Sequence, residues 1–246
     1  LICGDVGYGK TEIAFRAAFK AVMSGKQVAF LAPTVILAEQ HYDNFVQRLG
    51  SFPVKSGILT RFVKAKDQKE ILKGLEDGNV DVLFGTHKIL SKKLNFKNLG
   101  LLIVDEEQRF GVKAKEKIKQ MKTNIDCLTL SATPIPRTLY MSLLKVRDMS
   151  LLTTAPRERL PIDTIISEYK LDVVTDALKR ELERGGQVFF LHNRIDDLED
   201  VANTLRSAIP SAIIETAHGQ MEADELEDVM HRFIYEGVQI LVSTTI

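Results

Sequence analysis

A chain of 246 residues with 45% hydrophobic and 27% charged side chains has the composition of a globular protein of one large or two ordinary domains. Lysine plus arginine number 33 and aspartate plus glutamate number 33, so no global charge draws the chain to a polyanion, and any nucleic acid must be gripped by a local set of groups. No apolar run approaches the roughly 20 residues that span a bilayer, no secretory leader is visible, and no histidines show metal-ligand spacing. Cys3 and Cys127 both lie in strand-like apolar runs, which argues for buried thiols in a reducing, cytoplasmic setting rather than a disulfide.

The chain opens on a strand remnant, "LIC", followed by a glycine loop and a helix over 10–24. Apolar runs then recur as expected strands: "QVAFLAP" (27–33), "VDVLFG" (80–85), "LGLLIVDE" (99–106) and "NIDCLTLSAT" (124–133). Each ends in small or polar residues, as strands buried on both faces of a parallel sheet do. Helical patterns fill 34–49, 67–77, 111–121 and 135–144. Phe15, Phe19 and Val22 recur at helical spacing and read as core. This alternation predicts an α/β fold with right-handed crossovers.

Two prolines and a burst of charge in 153–169 read as a linker, which sets domains at 1–157 and 158–246. A second series follows: helix 171–184, strand 186–194, helix 196–208, strand 212–217, helix 222–235 and strand 238–244. The second domain is expected to be incomplete, with an exposed sheet edge prone to aggregation.

Gly4, Gly9, Lys10 and Thr11 satisfy the phosphate-loop pattern G-x-x-x-x-G-K-[ST]. Glycines let backbone N–H groups close on phosphate oxygens, Lys10 supplies a cation for the β- and γ-phosphates, and Thr11 offers a hydroxyl to Mg²⁺. By average composition these four positions match by chance in roughly one chain in a hundred. The strand-loop-helix context makes the match stronger still. "LLIVDEEQ" delivers Asp105 and Glu106 at a strand end, where ligands of parallel sheets gather. Asp105 is placed to hold Mg²⁺, and Glu106 to orient and deprotonate an attacking water. The expected cofactors are ATP and Mg²⁺. "SAT" alone is a commonplace strand end, yet Ser131 and Thr133 can relay nucleotide state through hydrogen bonds to neighbouring loops.

The order "GDVGYGKT", "APTVILAEQ", "GTHKIL", "VDEEQRFGV", "LSATPIPRTL", "FFLHNR", "HGQM", "LVSTT" resembles the superfamily 2 helicases and translocases over nearly the whole chain. Within them, "GDVGYGKTEIAFRAAF", "DEEQRFGVKAKEKIK", "LTLSATPIPRTL", "GGQVFFLHN", "HGQM" and "LVSTTI" resemble the bacterial transcription-repair coupling factor family. The branch-migration helicases that remodel stalled forks are near relatives, but they favour a small residue at Tyr8 and D-E-Q-H at 105–108.

The resemblance implies two tandem RecA-like P-loop NTPase domains with parallel sheets. It implies an ATP-driven translocase on double-stranded DNA that displaces stalled RNA polymerase and helps recruit an excision-repair damage-recognition protein, both through domains outside this chain. Carried over by position, Gly7 joins the phosphate cradle and Gln108 senses the nucleotide. Thr34, Gln40, Thr86 and His87 touch the DNA backbone from the first domain. Asn193, Arg194, His218, Gly219, Gln220, Ser243 and Thr244 do so from the second. Backbone contact suits a motor, because phosphates carry no sequence information. The family's arginine finger, worth about a thousandfold or more in rate, follows the last motif seen here, so the bare chain is expected to be a fragment that hydrolyses poorly. A non-catalytic binding module remains the alternative of another class. The RNA helicases are disfavoured by "DEEQRFGV" and "PIPR". The lysines of 111–122 read as a solvated basic face, with duplex contact the sharper alternative, and Arg109 and Phe110 read as packing between domains.

Overall fold

A computed structural model describes residues 1–91, 94–122, 124–132, 148–156 and 162–245. The chain divides into two compact units, Leu1–Pro161 and Ile162–Ile246.

The first unit is built on seven parallel strands: β1 (Ile2–Gly4), β2 (Gln27–Leu31), β3 (Ser56–Leu59), β4 (Val82–Gly85), β5 (Leu99–Asp105), β6 (Asp126–Ser131) and β7 (Ser150–Leu152). Their order is β3-β4-β2-β5-β6-β1-β7. Alternation along each strand splits the core in two. Val28, Phe30, Leu101 and Ile103 point to one face, and Ala29, Leu31, Leu102 and Val104 to the other. Helices α1 (Lys10–Met23) and α2 (Val35–Leu49) cover the first face through Phe15 and Phe45. Helices α3 (Ala65–Asp77) and α4 (Val112–Met121) cover the second through Leu75 and Ile118.

Right-handed crossovers explain this division. The connections β1-α1-β2 and β2-α2-β3 step one way across the sheet, while β3-α3-β4 and β5-α4-β6 step the other way. Phe30, Phe45 and Phe84 form the aromatic centre of the first face, with ring centroids 5.0 Å (Phe30–Phe84) and 5.1 Å (Phe45–Phe84) apart. Each such ring contributes about 1.5–3 kcal/mol by burial alone.

The second unit holds β8 (Val188–Leu191), β9 (Ile214–Ala217) and β10 (Ile240–Ser243), parallel and in the order β8-β10-β9. Helices α5 (Leu171–Glu183) and α6 (Leu198–Ala208) pack on Ile240 and Val242, and α7 (Ala223–Tyr235) packs on Leu241 from the other side. This is the β2-α2-β3-α3-β4 segment of the first unit over again, since β3-β4-β2 and β9-β10-β8 are one topology. β8 lies at a sheet edge, and its Phe189 and Leu191 are exposed.

The alternating α/β reading holds, with strand ends shortened by one to three residues. Strands β3 and β7 were not anticipated. β3 is four residues containing a glycine and β7 is three, too short for a periodic signal. The expected helix over 135–144 lies outside the described residues. Residues 162–169 are exposed and without regular structure. Phe110 is buried in the first unit's own core with Val104 and Ile118. Neither cysteine forms a disulfide: Cys3 is buried and Cys127 half-buried. Burial pushes the Cys3 thiol up.

Candidate nucleotide site and nucleic-acid face

Strands β5, β6 and β1 are neighbours, with Asp105 beside Leu130 and Cys3 beside Ser131. Strands lie about 4.8 Å apart, so Asp105 and the start of the phosphate loop stand roughly 10 Å from each other across β6. The chain leaves β1 in one direction and β5 in the other, which opens the crevice in which such sheets bind ligands.

In the loop, Gly7 and Gly9 adopt φ of 78° and 85°, which only glycine takes at little cost. Gly4 is needed for a different reason: a Cβ there would lie 2.9 Å from the Cβ of Leu152 on β7. Gly9 caps α1 without any side-chain hydrogen bond, so the first-turn N–H groups remain open to an anion. Lys10 folds back on the loop, its Nζ donating to the Gly4 carbonyl at 2.7 Å and the Asp5 carbonyl at 2.8 Å. Thr11 lies on the first turn of α1, half-buried.

Asp105 is the last residue of β5 and is buried. Glu106 follows at φ 46°, ψ 51°, the only non-glycine residue with positive φ among those described. That conformation costs on the order of 1–2 kcal/mol. Neighbours hold it there: the Glu106 N–H donates to the Leu130 carbonyl at 3.1 Å, and its Oε1 accepts the Ala132 N–H at 2.9 Å. Gln108 Nε2 donates to Glu106 Oε2. The acidic turn is therefore tied to β6, next to Ser131, which is buried. Thr133 lies outside the described residues.

Two residues that support the acidic turn, Glu107 and His41, were not anticipated. Glu107 receives Lys122 Nζ on both oxygens at 2.9 Å and Thr129 Oγ1 at 3.2 Å, bracing the turn against α4 and β6. Lys122, and Lys115 through the Gln108 carbonyl, thus serve this turn, while Lys113 and Lys117 stay exposed. His41 of α2 is buried against Phe30, with Nε2 2.9 Å from Asp105 Oδ2. The signal for His41 was present: it lies on the buried stripe Val35, Ala38, His41, Phe45, where an imidazole needs a polar partner. Arg61, just past the unanticipated β3, stacks 4.7 Å over the Phe62 ring.

Among the described residues no group of three or more His, Cys, Asp and Glu could cage a metal. The donors present are one carboxylate and one hydroxyl, and Asp105 has one oxygen taken by His41. That set fits Mg²⁺, a hard cation that keeps water and substrate phosphates as its other ligands.

The remaining candidates share the carboxyl-end rim of the sheet. Thr34 caps α2, its Oγ1 accepting the Leu37 N–H at 3.3 Å, and Gln40 is exposed on the same helix. Thr86 is buried after β4, and His87 is exposed in the 3₁₀ turn His87–Leu90. The rim thus has two halves. The ends of β4 and β2 carry the expected nucleic-acid contacts, and the ends of β5, β6 and β1 carry the expected nucleotide groups. In the second unit, Asn193 and Arg194 are exposed after β8. His218, Gly219 and Gln220 follow β9, and Ser243 and Thr244 close β10. The Gly219 N–H donates to Thr244 Oγ1 at 3.2 Å, the Thr244 N–H to the Ala217 carbonyl at 3.1 Å, and the His192 N–H to the Ser243 carbonyl at 2.8 Å. The His218 Nδ1 is buried with no partner among the described residues.

A glycine loop at a helix N-terminus, facing a strand-end acidic pair on an all-parallel sheet, followed by a second unit that repeats half of the first, defines a tandem RecA-like P-loop fold. Residues 1–142 match the DEAD/DEAH box helicase family and residues 169–246 the helicase conserved C-terminal domain; the chain belongs to the DEAD/DEAH box helicase family. It is 55% identical over 246 residues to the transcription-repair-coupling factor of Bacillus subtilis (strain 168), and 54% identical over the same length to that of Staphylococcus aureus (strain USA300). These alignments cover 100% of this chain and 21% of each relative. A solved structure of RecG bound to a three-way DNA junction matches with a TM-score of 0.79 and 32% identity over 99% of this chain and 33% of that one. The Mycobacterium smegmatis helicase Lhr, solved with single-stranded DNA and AMP-PNP, shares the fold at 18% identity, with a TM-score of 0.65 over 99% of this chain and 37% of that one. No described helix is long and apolar enough to cross a membrane.

Proposed function

We propose that this chain is the motor core of an ATP-driven translocase on double-stranded DNA, of the kind that serves transcription-coupled repair. The observation that carries the reading is the two-part rim, with a phosphate-loop and acidic-pair site on one half and polar residues, Gln40 and His87 exposed among them, on the other. The 55% identity to coupling factors favours this family over the fork remodellers, whose representative RecG stands at 32%.

In this reading Gly7, Gly9 and the first-turn N–H groups of α1 take phosphate oxygens, with Gly4 admitting the loop to its place beside β7. Lys10 exchanges its two carbonyl acceptors for the β- and γ-phosphates. Thr11 and Asp105 hold Mg²⁺. Bound MgATP supplies the phosphoanhydride that is cleaved and the cation that offsets its charge. Glu106 orients the water and accepts its proton, with Gln108 holding the second carboxylate oxygen and reporting the nucleotide state. Ser131 and Thr133 pass that state on. Thr34, Gln40, Thr86 and His87, with Asn193, Arg194, His218, Gly219, Gln220, Ser243 and Thr244, grip the DNA backbone. The full-length protein would act in the cytoplasm, displace stalled RNA polymerase and help recruit an excision-repair damage-recognition protein.

The test is ATP turnover by the full-length protein with no nucleic acid, plain duplex, branched DNA, single-stranded DNA or RNA. Strong stimulation by plain duplex, lost in Glu106→Gln by about 10²–10⁴-fold, is expected. Preference for branched DNA would move the assignment to fork remodelling. Stimulation by RNA alone would overturn it, and nucleotide binding without turnover would leave a non-catalytic module.

A further inference from the structure

A buried side-chain hydrogen bond ties the two halves of the rim together. Helix α2 starts at Thr34 and carries Gln40, both on the nucleic-acid half. The next residue, His41, reaches over β2 to the neighbouring strand β5 and hydrogen-bonds Asp105, on the nucleotide half, at 2.9 Å. Both side chains are close to fully buried, 9% and 12% exposed. The imidazole is held by the Phe30 ring, 4.7 Å between centroids, and Phe30 in turn stacks on Phe84. An ionised carboxylate only accepts, so Nε2 is the donor. No other described side chain hydrogen-bonds the Asp105 carboxylate. Its orientation is thus set by a residue of α2, and any shift of α2 along its axis is transmitted to it.

We infer that His41 is a positioning residue that fixes the Asp105 carboxylate for the divalent cation and couples it to engagement of α2 by nucleic acid. The inference rests on the motor reading above for its second half only; the first half concerns the metal alone. Partners of this kind, one hydrogen bond removed from the metal, typically change metal affinity by roughly 10- to 100-fold when lost. The ion pair from α2 to α1, Arg48 to Glu12 at 3.2 Å, is solvent-exposed and cannot hold a carboxylate in register.

The experiment compares full-length wild type with His41→Ala, His41→Gln and His41→Asn. Glutamine can place an amide N–H where Nε2 stands, whereas asparagine is too short. Mn²⁺ binding in the presence of ADP is followed by electron paramagnetic resonance without DNA, duplex binding is measured without nucleotide, and ATP turnover is measured with and without duplex. His41→Ala should weaken Mn²⁺ binding by roughly 10- to 100-fold, leave nucleotide-free duplex binding unchanged and lower the stimulation by duplex. His41→Gln should restore both the Mn²⁺ affinity and the stimulation by duplex. Mn²⁺ affinity equal to wild type in folded His41→Ala, or His41→Gln as impaired as His41→Asn, would overturn the positioning role. If His41→Ala does not fold, the Gln-to-Asn comparison decides alone. Absence of duplex stimulation in the wild type would count against the motor reading, with the Mn²⁺ measurements still deciding the role of His41.

Discussion

Gln27 and Gln187 make the same pair of hydrogen bonds in two different units. Gln27 Nε2 donates to the carbonyls of Leu75 and Val80, at 3.0 and 2.7 Å. Gln187 Nε2 donates to those of Phe233 and, at 2.8 Å, Val238. Leu75 and Phe233 each stand two residues before their helix ends, and Val80 and Val238 each two residues before the next strand. One amide thus satisfies a helix-end carbonyl and clamps the start of the neighbouring strand. Gln27 is buried and Gln187 exposed. Gln27→Ala should therefore cost about 1–3 kcal/mol, because the half-buried Val80 carbonyl and Asn98 N–H lose their partner while the Leu75 carbonyl keeps the Gly78 and Lys97 N–H groups, and Gln187→Ala about 1 kcal/mol. Hydrogen exchange resolved to each unit measures both. Equal losses would mean that burial does not set the difference.

Gly4 and Gly9 should fail in different ways. Gly4→Ala drives a Cβ into Leu152 on β7, 2.9 Å away, so it should lower the stability of the first unit. Gly9→Ala meets nothing within 4 Å but must hold φ near +85°, a strain of about 1–2 kcal/mol that reshapes the loop. Its main loss should appear in nucleotide affinity. Thermal melting with and without ADP separates the two.

Glu106 is strained in a left-handed conformation that its hydrogen bonds to Leu130 and Ala132 maintain. Glu106→Gln keeps an oxygen for the Ala132 N–H and should melt within a few degrees of wild type. Glu106→Gly relieves roughly 1 kcal/mol of backbone strain while losing that hydrogen bond, so its melting point should also change little. Both should be inactive. A large drop in melting temperature for the glutamine variant would show that the carboxylate's charge is a structural requirement.

Glu12 carries a pH-dependent link between α1 and α2. The Arg48 guanidinium, and then that of Arg16, hold its carboxyl below its ordinary value. A depressed carboxylate stabilises the fold above its unfolded value of about 4.3 and loses that contribution as pH falls through the lower folded value. Between pH 6 and 3 the wild type should thus lose more stability than Glu12→Gln. The effect should be small, because the pair faces solvent, and should shrink further in salt. Parallel pH profiles for the two proteins would remove the link.

Much of the chemistry was legible in the residues themselves. The loop Gly4–Thr11 and the pair Asp105–Glu106 announce themselves, because each set is contiguous and its order is dictated by phosphate geometry. The parallel sheet was legible from unbroken apolar runs such as "VAFL" and "LLIV", which only a sheet covered on both faces accommodates. Strands β3 and β7 were hidden because three or four residues hold no period. Glu107 gave no sign of its role, because its partner Lys122 lies 15 residues away.

By itself the sequence determined the fold class and picked out the phosphate-loop pattern and the acidic pair, since those depend on local order and on alternation along single elements. Only the tertiary structure decided that Gly4 is required by Leu152 and that His41 belongs to Asp105. It also revealed that the second unit repeats a segment of the first. The physical reason is common to all three. They depend on which strands lie side by side, and that neighbourhood is chosen by the packing of two helical layers on the sheet rather than by any run of adjacent residues.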